Sequence, residues 1–294
     1  MAMPQSVATI GATLGEGPVW TAGDAALWFV DIKAPAVHRF VPATGDLQSW
    51  PAPAQVGWVW PDSDGGMIAG LQTGLSRFDP ATGAFDPIAA IEPALPGNRL
   101  NDATTGPDGR LWFGSMDDTE AAESGHIYRA DRRGIARVVS GISITNGPAL
   151  NRDGTLLYHN DTLGRRVFVS AVGDDGTLHD TRMFAEIDRG YPDGPTVDAD
   201  GGVWVALFGG WGVRHYAPDG GLIETISFPV ANVTKIAFGG PDLRTAYATT
   251  ATKGLSPQER IEQPLAGNLF AFDPGTTGQP AAPIAPFSPE RLYA

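Results

Sequence analysis

The chain has 294 residues, 42% of them apolar, no cysteine and a formal net charge of −13. That size and apolar content support a substantial core, while the absence of thiols excludes disulfides, cysteine nucleophiles and zinc–thiolate sites. The acidic balance argues against a nucleic-acid partner, because phosphate binding needs a positive surface, so a small molecule is the expected ligand.

The opening stretch, "MAMPQSVATIGATLGEG", has neither a basic start nor a continuous apolar run, and no signal peptide is expected. No apolar stretch approaches the ~18 residues of a membrane span. A cytoplasmic monomer without a membrane partner is the expectation. The first full unit then reads "EGPVW", the turn "TAGD", the strand "ALWFV", the strand "VHRFV" and the turn "PATGD". The same succession of turn Asp and apolar strand recurs at Asp24, Asp64, Asp108, Asp153, Asp200 and Asp242, at spacings of 40, 44, 45, 47 and 42 residues. Asp and Gly tolerate positive φ, so each of these turns signals a tight hairpin. A further strand and a further Gly- or Asp-rich turn follow each one.

Six four-stranded antiparallel meanders of about 45 residues predict an all-β chain, a six-bladed β-propeller with a central channel, as one domain over 1–294. The stretch "SVATI" from residue 6 is expected to complete the last blade and close the ring. "KGLSPQERIEQPLAG" from residue 253 reads as a loop inserted in blade six.

In such a ring the first strand of each blade lines the channel. Counting seven residues back from each turn Asp reaches Gly57, Asn101, Asn146, Asp193 and Lys235, and counting eight in the first blade reaches Glu16. Gly-Pro steps at 17, 147 and 194 directly follow Glu16, Asn146 and Asp193. Gly permits an unusual backbone turn there and Pro stiffens it, which fixes the preceding side chain. Two carboxylates and an amide thus converge, and converging buried carboxylates repel one another. A divalent cation resolves that conflict, and an all-oxygen ligand set suits Ca, Mg, Mn, Fe(II) or Zn. The plainer alternative is three local turn caps.

Arg99 and Asn101 in "NRLND" lie two residues apart, on one strand face, and the planar fork of Arg99 suits substrate oxygens. Trp58 and Trp60 in "QVGWVW" either cover a sugar ring from the channel or belong to the core between blades. The five histidines show no ligand spacing.

The segments "GEGPVW" from 15, "RLND" from 99, "GRLWFGSM" from 109, "TNGPAL" from 145 and "PDGPTVDADGGVWVA" from 192 resemble the regucalcin-like (senescence marker protein) and gluconolactonase family of six-bladed propellers. The resemblance implies one divalent metal held by Glu16, Asn146 and Asp193, and Asp193 as general base. It further implies that Arg99 and Asn101 contact a sugar lactone. The family's substrate-contacting Glu, a few residues past "GSM", corresponds to Glu120, displaced by about one residue. Bacterial members include lactonases for gluconolactone, xylonolactone and arabinonolactone. A lactone is a cyclic ester: a cation polarises its carbonyl, and Asp193 deprotonates the attacking water unless the cation itself carries that water. The alternatives are a propeller hydrolase of aryl esters or phosphotriesters and a calcium-binding propeller without turnover.

Overall fold

Each turn Asp closes the hairpin between the innermost and second strands of a blade in the computed structural model, which describes residues 3–290 and the backbone of 292–293. Blade one comprises β2 (Gly15–Thr21), β3 (Ala26–Asp31), β4 (Ala36–Val41) and β5 (Asp46–Pro51). Blade two comprises β6 (Val56–Pro61), β7 (Met67–Leu71), β8 (Gly74–Asp79) and β9 (Ala84–Ala90). Blade three holds β10 (Asn98–Thr105), β11 (Leu111–Asp117), β12 (Gly125–Asp131) and β13 (Gly134–Ile142), with a short parallel strand, β25 (Leu292–Tyr293), on its outer edge. Blade four is β14 (Thr145–Leu150), β15 (Leu156–Asp161), β16 (Arg166–Val172) and β17 (Leu178–Glu186); blade five is β18 (Tyr191–Val197), β19 (Val203–Phe208), β20 (Gly212–Tyr216) and β21 (Leu222–Ser227). Blade six joins β22 (Val233–Gly239), β23 (Thr245–Thr250) and β24 (Leu269–Phe272) to β1 (Gln5–Ala8), which pairs antiparallel with β24 and closes the ring as the N-terminal pattern predicts.

Burial falls from the axis outward. The inner strands β10 and β22 are buried over most or all of their length, whereas the outermost β5 is largely exposed. The core fills the spaces between blades: Trp58 of blade two is buried and lies 6.2 Å from Phe113 of blade three. Of the two readings for the tryptophans, the core reading holds. Trp58 packs inside and Trp60 lies lower in the channel, so neither covers the cavity described below.

A break in strand register recurs in all six inner strands, at Glu16/Val19, Val56/Trp58, Leu100/Ala103, Asn146/Ala149, Pro192/Pro195 and Val233/Lys235. An irregularity of this kind re-aims side chains and increases local twist. Here it divides the channel: Glu16, Asn146 and Asp193 line an upper cavity, while Pro18, Pro148 and Pro195 line a lower one. Gly17 has φ 55°, as the predicted unusual backbone requires, and a Cβ there would lie 2.9 Å from the Gly57 carbonyl oxygen. Gly194 is glycine for another reason. Its φ is not in the left-handed region, but a Cβ would come within 2.6 Å of Cγ of Lys235. Close approach of neighbouring blades, rather than turn geometry, fixes that position.

Residues 277–285 form a strap across the face that carries the Asp-turns. Ala199 N donates to Thr277 O at 2.8 Å, Trp60 Nε1 and Thr105 Oγ1 both donate to Ala282 O, and Ile284 N and Ala285 N donate to Pro61 O and Gly109 O. The strap closes the lower cavity, about 100 Å³ in volume, with Gln279, Pro280 and Ala281. The blade-six insertion lies between β23 and β24 and carries α1 (Pro257–Glu262), started by a capping box of Ser256 and Glu259.

Candidate functional site

The upper cavity, about 240 Å³, opens on the face opposite the strap, and the six residues singled out from the sequence all line it: Glu16, Arg99, Asn101, Glu120, Asn146 and Asp193. The register breaks explain their convergence: Glu16, Arg99 and Asn146 precede the break in their inner strands, and Asn101 and Asp193 fall within it.

Glu16 and Asp193 are 4% and 5% exposed. Each carboxylate accepts only from the next residue's backbone, Gly17 N to Glu16 Oε2 at 3.0 Å and Gly194 N to Asp193 Oδ1 at 3.1 Å, and neither is ion-paired among the described residues. Burial, and then the nearby Asp102 carboxylate, push Glu16 up from 4.5 to about 7. Burial, followed by the charges of Glu16 and Asp102, pushes Asp193 well above the ordinary carboxylate range. Two acids thus meet in a space that disfavours their charged forms.

The third member is held by a chain of amides. Arg99 Nη1 donates to Asn101 Oδ1 at 2.5 Å, Asn101 Nδ2 donates to Asn146 Oδ1 at 2.9 Å, and Asn146 Nδ2 donates to Thr162 Oγ1 at 2.9 Å. Thr162 in turn donates to Pro192 O at 2.9 Å, one residue before Asp193. Asn101 Nδ2 also donates to Thr145 O at 2.7 Å, so its amide is engaged on both ends by the protein. The donors fix which end of Asn146 is oxygen. Arg99 Nε donates to Asp118 Oδ1 at 2.8 Å, and Nη2 makes no hydrogen bond among the described residues. Burial opposes ionisation of Asp118, but hydrogen bonds from Gln55, Lys33 and Arg99 outweigh it and hold its pKa at about 2.

Several contributors were not legible as site residues. Asp102 accepts from Lys235 Nζ at 2.5 Å and from Gly147 N at 2.9 Å, directly behind the amide and acid. Counting back from the turns reaches Lys235 but gives it no role. Asp117 organises the loop that carries Asp118 and Glu120: its carboxylate accepts from Thr119 Oγ1, Ala121 N and Ala122 N, and hydrogen bonding by Thr119 and then Ala122 lowers its pKa to about 2. The doubled aspartate in "GSMDDTE" was the available signal. Lys253, at the start of the insertion, also lines the cavity and pairs with Glu120.

The donor set fits a hard cation. It offers the carboxylate oxygens of Glu16 and Asp193 and the oriented Oδ1 of Asn146, and among the described residues no lysine or arginine pairs directly with the two acids. The described residues contain no grouping of three His, Cys, Asp or Glu side chains placed to hold a metal. No described helix is long and apolar enough to cross a membrane.

Residues 14–252 match the family described as "SMP-30/Gluconolactonase/LRE-like region". The chain is 32% identical over 264 residues to a 6-deoxy-6-sulfogluconolactonase of Pseudomonas putida, covering 88% of this chain and 91% of the relative. It is 34% identical over 282 residues to an L-arabinolactonase of Azospirillum brasilense, covering 93% and 92%. A solved structure of a calcium-binding protein, regucalcin, from Agrobacterium tumefaciens superposes with a TM-score of 0.91 at 27% identity, covering 96% of this chain and 97% of that one.

Proposed function

The chain belongs to the SMP-30/gluconolactonase family, and from that membership and its upper cavity we propose that it is a carboxylic ester hydrolase that opens a sugar lactone to the aldonic acid, with one divalent cation held by Glu16, Asn146 and Asp193. The observation that carries the reading is the pair of buried acids, each bonded only to its neighbour's N–H, beside an oriented amide oxygen. Relatives acting on sulfogluconolactone and arabinolactone support the substrate class.

The cation, when bound, supplies positive charge that offsets the two acids and polarises a carbonyl oxygen. The chain does the rest. Arg99 directs its free Nη2 into the cavity and holds ring hydroxyls. Asn101, engaged at both ends, acts on the substrate chiefly through Arg99 and Asn146. Asp193 takes a proton from a water as that water's oxygen bonds to the lactone carbonyl carbon. Collapse of the tetrahedral adduct breaks the bond from that carbon to the ring oxygen, and the proton held by Asp193 passes to the departing oxygen. One water is consumed and a hydroxy acid results.

A calcium-binding role without turnover is the second reading, favoured by the likeness to the regucalcin described as calcium-binding. A panel of aldonolactones, followed by acid release with and without a chelator, separates the two. Hydrolysis above the spontaneous rate that chelation abolishes supports the enzyme; calcium binding with no lactone turned over supports the binder.

A further inference from the structure

We propose that Lys253 and Glu120 form a specificity-determining pair: together they read an uncharged hydroxyl on the exocyclic carbon of the lactone, and the Glu120 carboxylate disfavours lactones that carry an anion there. This inference rests on the lactone hydrolysis proposed above.

Lys253 has a fixed origin. Its N–H donates to Thr13 O at 2.8 Å, and its carbonyl accepts from Asn232 Nδ2 at 2.9 Å, so the first turn of the insertion is tied to blades one and six. From there the side chain spans the opening of the upper cavity to Glu120 on the blade-three loop. Glu120 is equally constrained: its N–H donates to Asp117 O at 3.0 Å, and its backbone holds φ 62°, a left-handed conformation that a non-glycine residue keeps only when its surroundings impose it. The pair is 31% and 34% exposed, whereas Glu16 and Asp193 are 4% and 5% exposed, so it stands at the outer end of the same cavity. A hexono-1,5-lactone whose carbonyl lies at the two acids can turn its exocyclic carbon, borne on C5 beside the ring oxygen, toward this pair.

The chemistry of the pair selects what that end carries. The Lys253 ammonium has three N–H donors and one hydrogen-bond partner, and Glu120 accepts through Oε1 alone, leaving Oε2 free among the described residues. A free donor and a free acceptor therefore stand side by side. A hydroxyl both donates and accepts, and satisfies both. A sulfonate, phosphate or carboxylate only accepts; it satisfies Lys253 but lies against the Glu120 carboxylate. The other cation lining the cavity among the described residues, Arg99, is likewise paired, with Asp118. Partial exposure screens the repulsion, so the discrimination is moderate rather than absolute.

The test compares kcat/KM on three lactones: a hexono-1,5-lactone ending in CH2OH, the same ring ending in a carboxylate, and a pentono-1,5-lactone with no exocyclic carbon. The wild type is expected to favour the hydroxymethyl over the carboxylate substrate by about tenfold. Lys253→Met should lower kcat/KM on the hydroxymethyl lactone by about tenfold relative to the pentono-1,5-lactone, mainly through KM. Lys253→Arg, which keeps the charge and donors, should largely preserve that ratio. Glu120→Gln should narrow the preference against the carboxylate substrate, since Lys253 then faces it without a competing charge. An equal loss on all three lactones in Lys253→Met, or a wild type that turns over the carboxylate substrate as well as the neutral one, overturns this inference alone. Failure of the wild type on every lactone overturns the hydrolase reading as well.

Discussion

Lys235 of blade six reaches across the channel to Asp102 of blade three, Nζ to Oδ1 at 2.5 Å, with both side chains buried. The same Asp102 accepts from Gly147 N, and the Lys235 stem packs on Gly194, so one ion pair sits behind both Asn146 and Asp193. Removing the lysine leaves a buried aspartate uncompensated. Lys235→Met should cost about 3–5 kcal/mol of unfolding free energy in urea titrations. The double change Lys235→Met with Asp102→Leu should recover part of it. A double variant no more stable than the single one contradicts this account.

Glu16→Gln removes one of two carboxylates while keeping the side chain's size. Cation affinity should fall at least tenfold, read as metal content after dialysis and as the calcium-induced rise in melting temperature. An unchanged metal content in the variant rules Glu16 out as a ligand.

The pH dependence has a definite sign. Folding raises the Glu16 pKa from 4.5 to about 7, so in cation-free protein the contribution is most favourable below 4.5 and is lost as the pH rises through about 7. The full loss is on the order of 3 kcal/mol, from the size of the shift. Asp193 shifts in the same direction and adds to it. A cation bound as proposed would replace the proton between the two acids, so its stabilising effect should grow over the same window. Melting temperatures of chelated and cation-loaded protein should diverge from pH 4.5 to 8, and a constant gap removes the basis for this prediction.

Asp193→Asn and Arg99→Ala should fail in different ways. With the cation supplied in excess, Asp193→Asn should still lose at least about a hundredfold in kcat, because the proton acceptor is gone. Arg99→Ala should act mainly on KM, since in the proposed role Nη2 would hold hydroxyls rather than reacting atoms, and Asp118 retains Lys33 and Gln55 as partners. If Asp193→Asn keeps the wild-type kcat when loaded, another group takes the proton.

The propeller was legible because its cause is local and repeated. Each Asp-turn is a short-range signal, and six at near-constant spacing leave few other architectures. The convergence of Glu16, Asn101, Asn146 and Asp193 was legible for the same reason, since near-equal offsets from equivalent turns become similar heights along one axis, and Arg99 followed from Asn101, two residues away on the same strand face. What the repeat does not encode stayed hidden. Asp102 and Lys235 are 133 residues apart and pair only because the ring closes. Lys253 lies in an insertion with no counterpart in the other blades, so no offset could place it. The C-terminal strap follows the last turn and has no periodicity to betray it.

That strap has a kinetic meaning. Residues 277–285 lie across one end of the channel, so the upper cavity exchanges its contents through the opposite opening. A product lingering there blocks the next arrival, so inhibition by the product must be competitive. The product of lactone opening is an anion, and that doorway is flanked by Glu120 with Glu16 and Asp193 beneath it. Because Lys253 pairs with Glu120 there and a cation bound as proposed would offset the two acids, departure of the product competes directly with arrival of the next lactone at that opening.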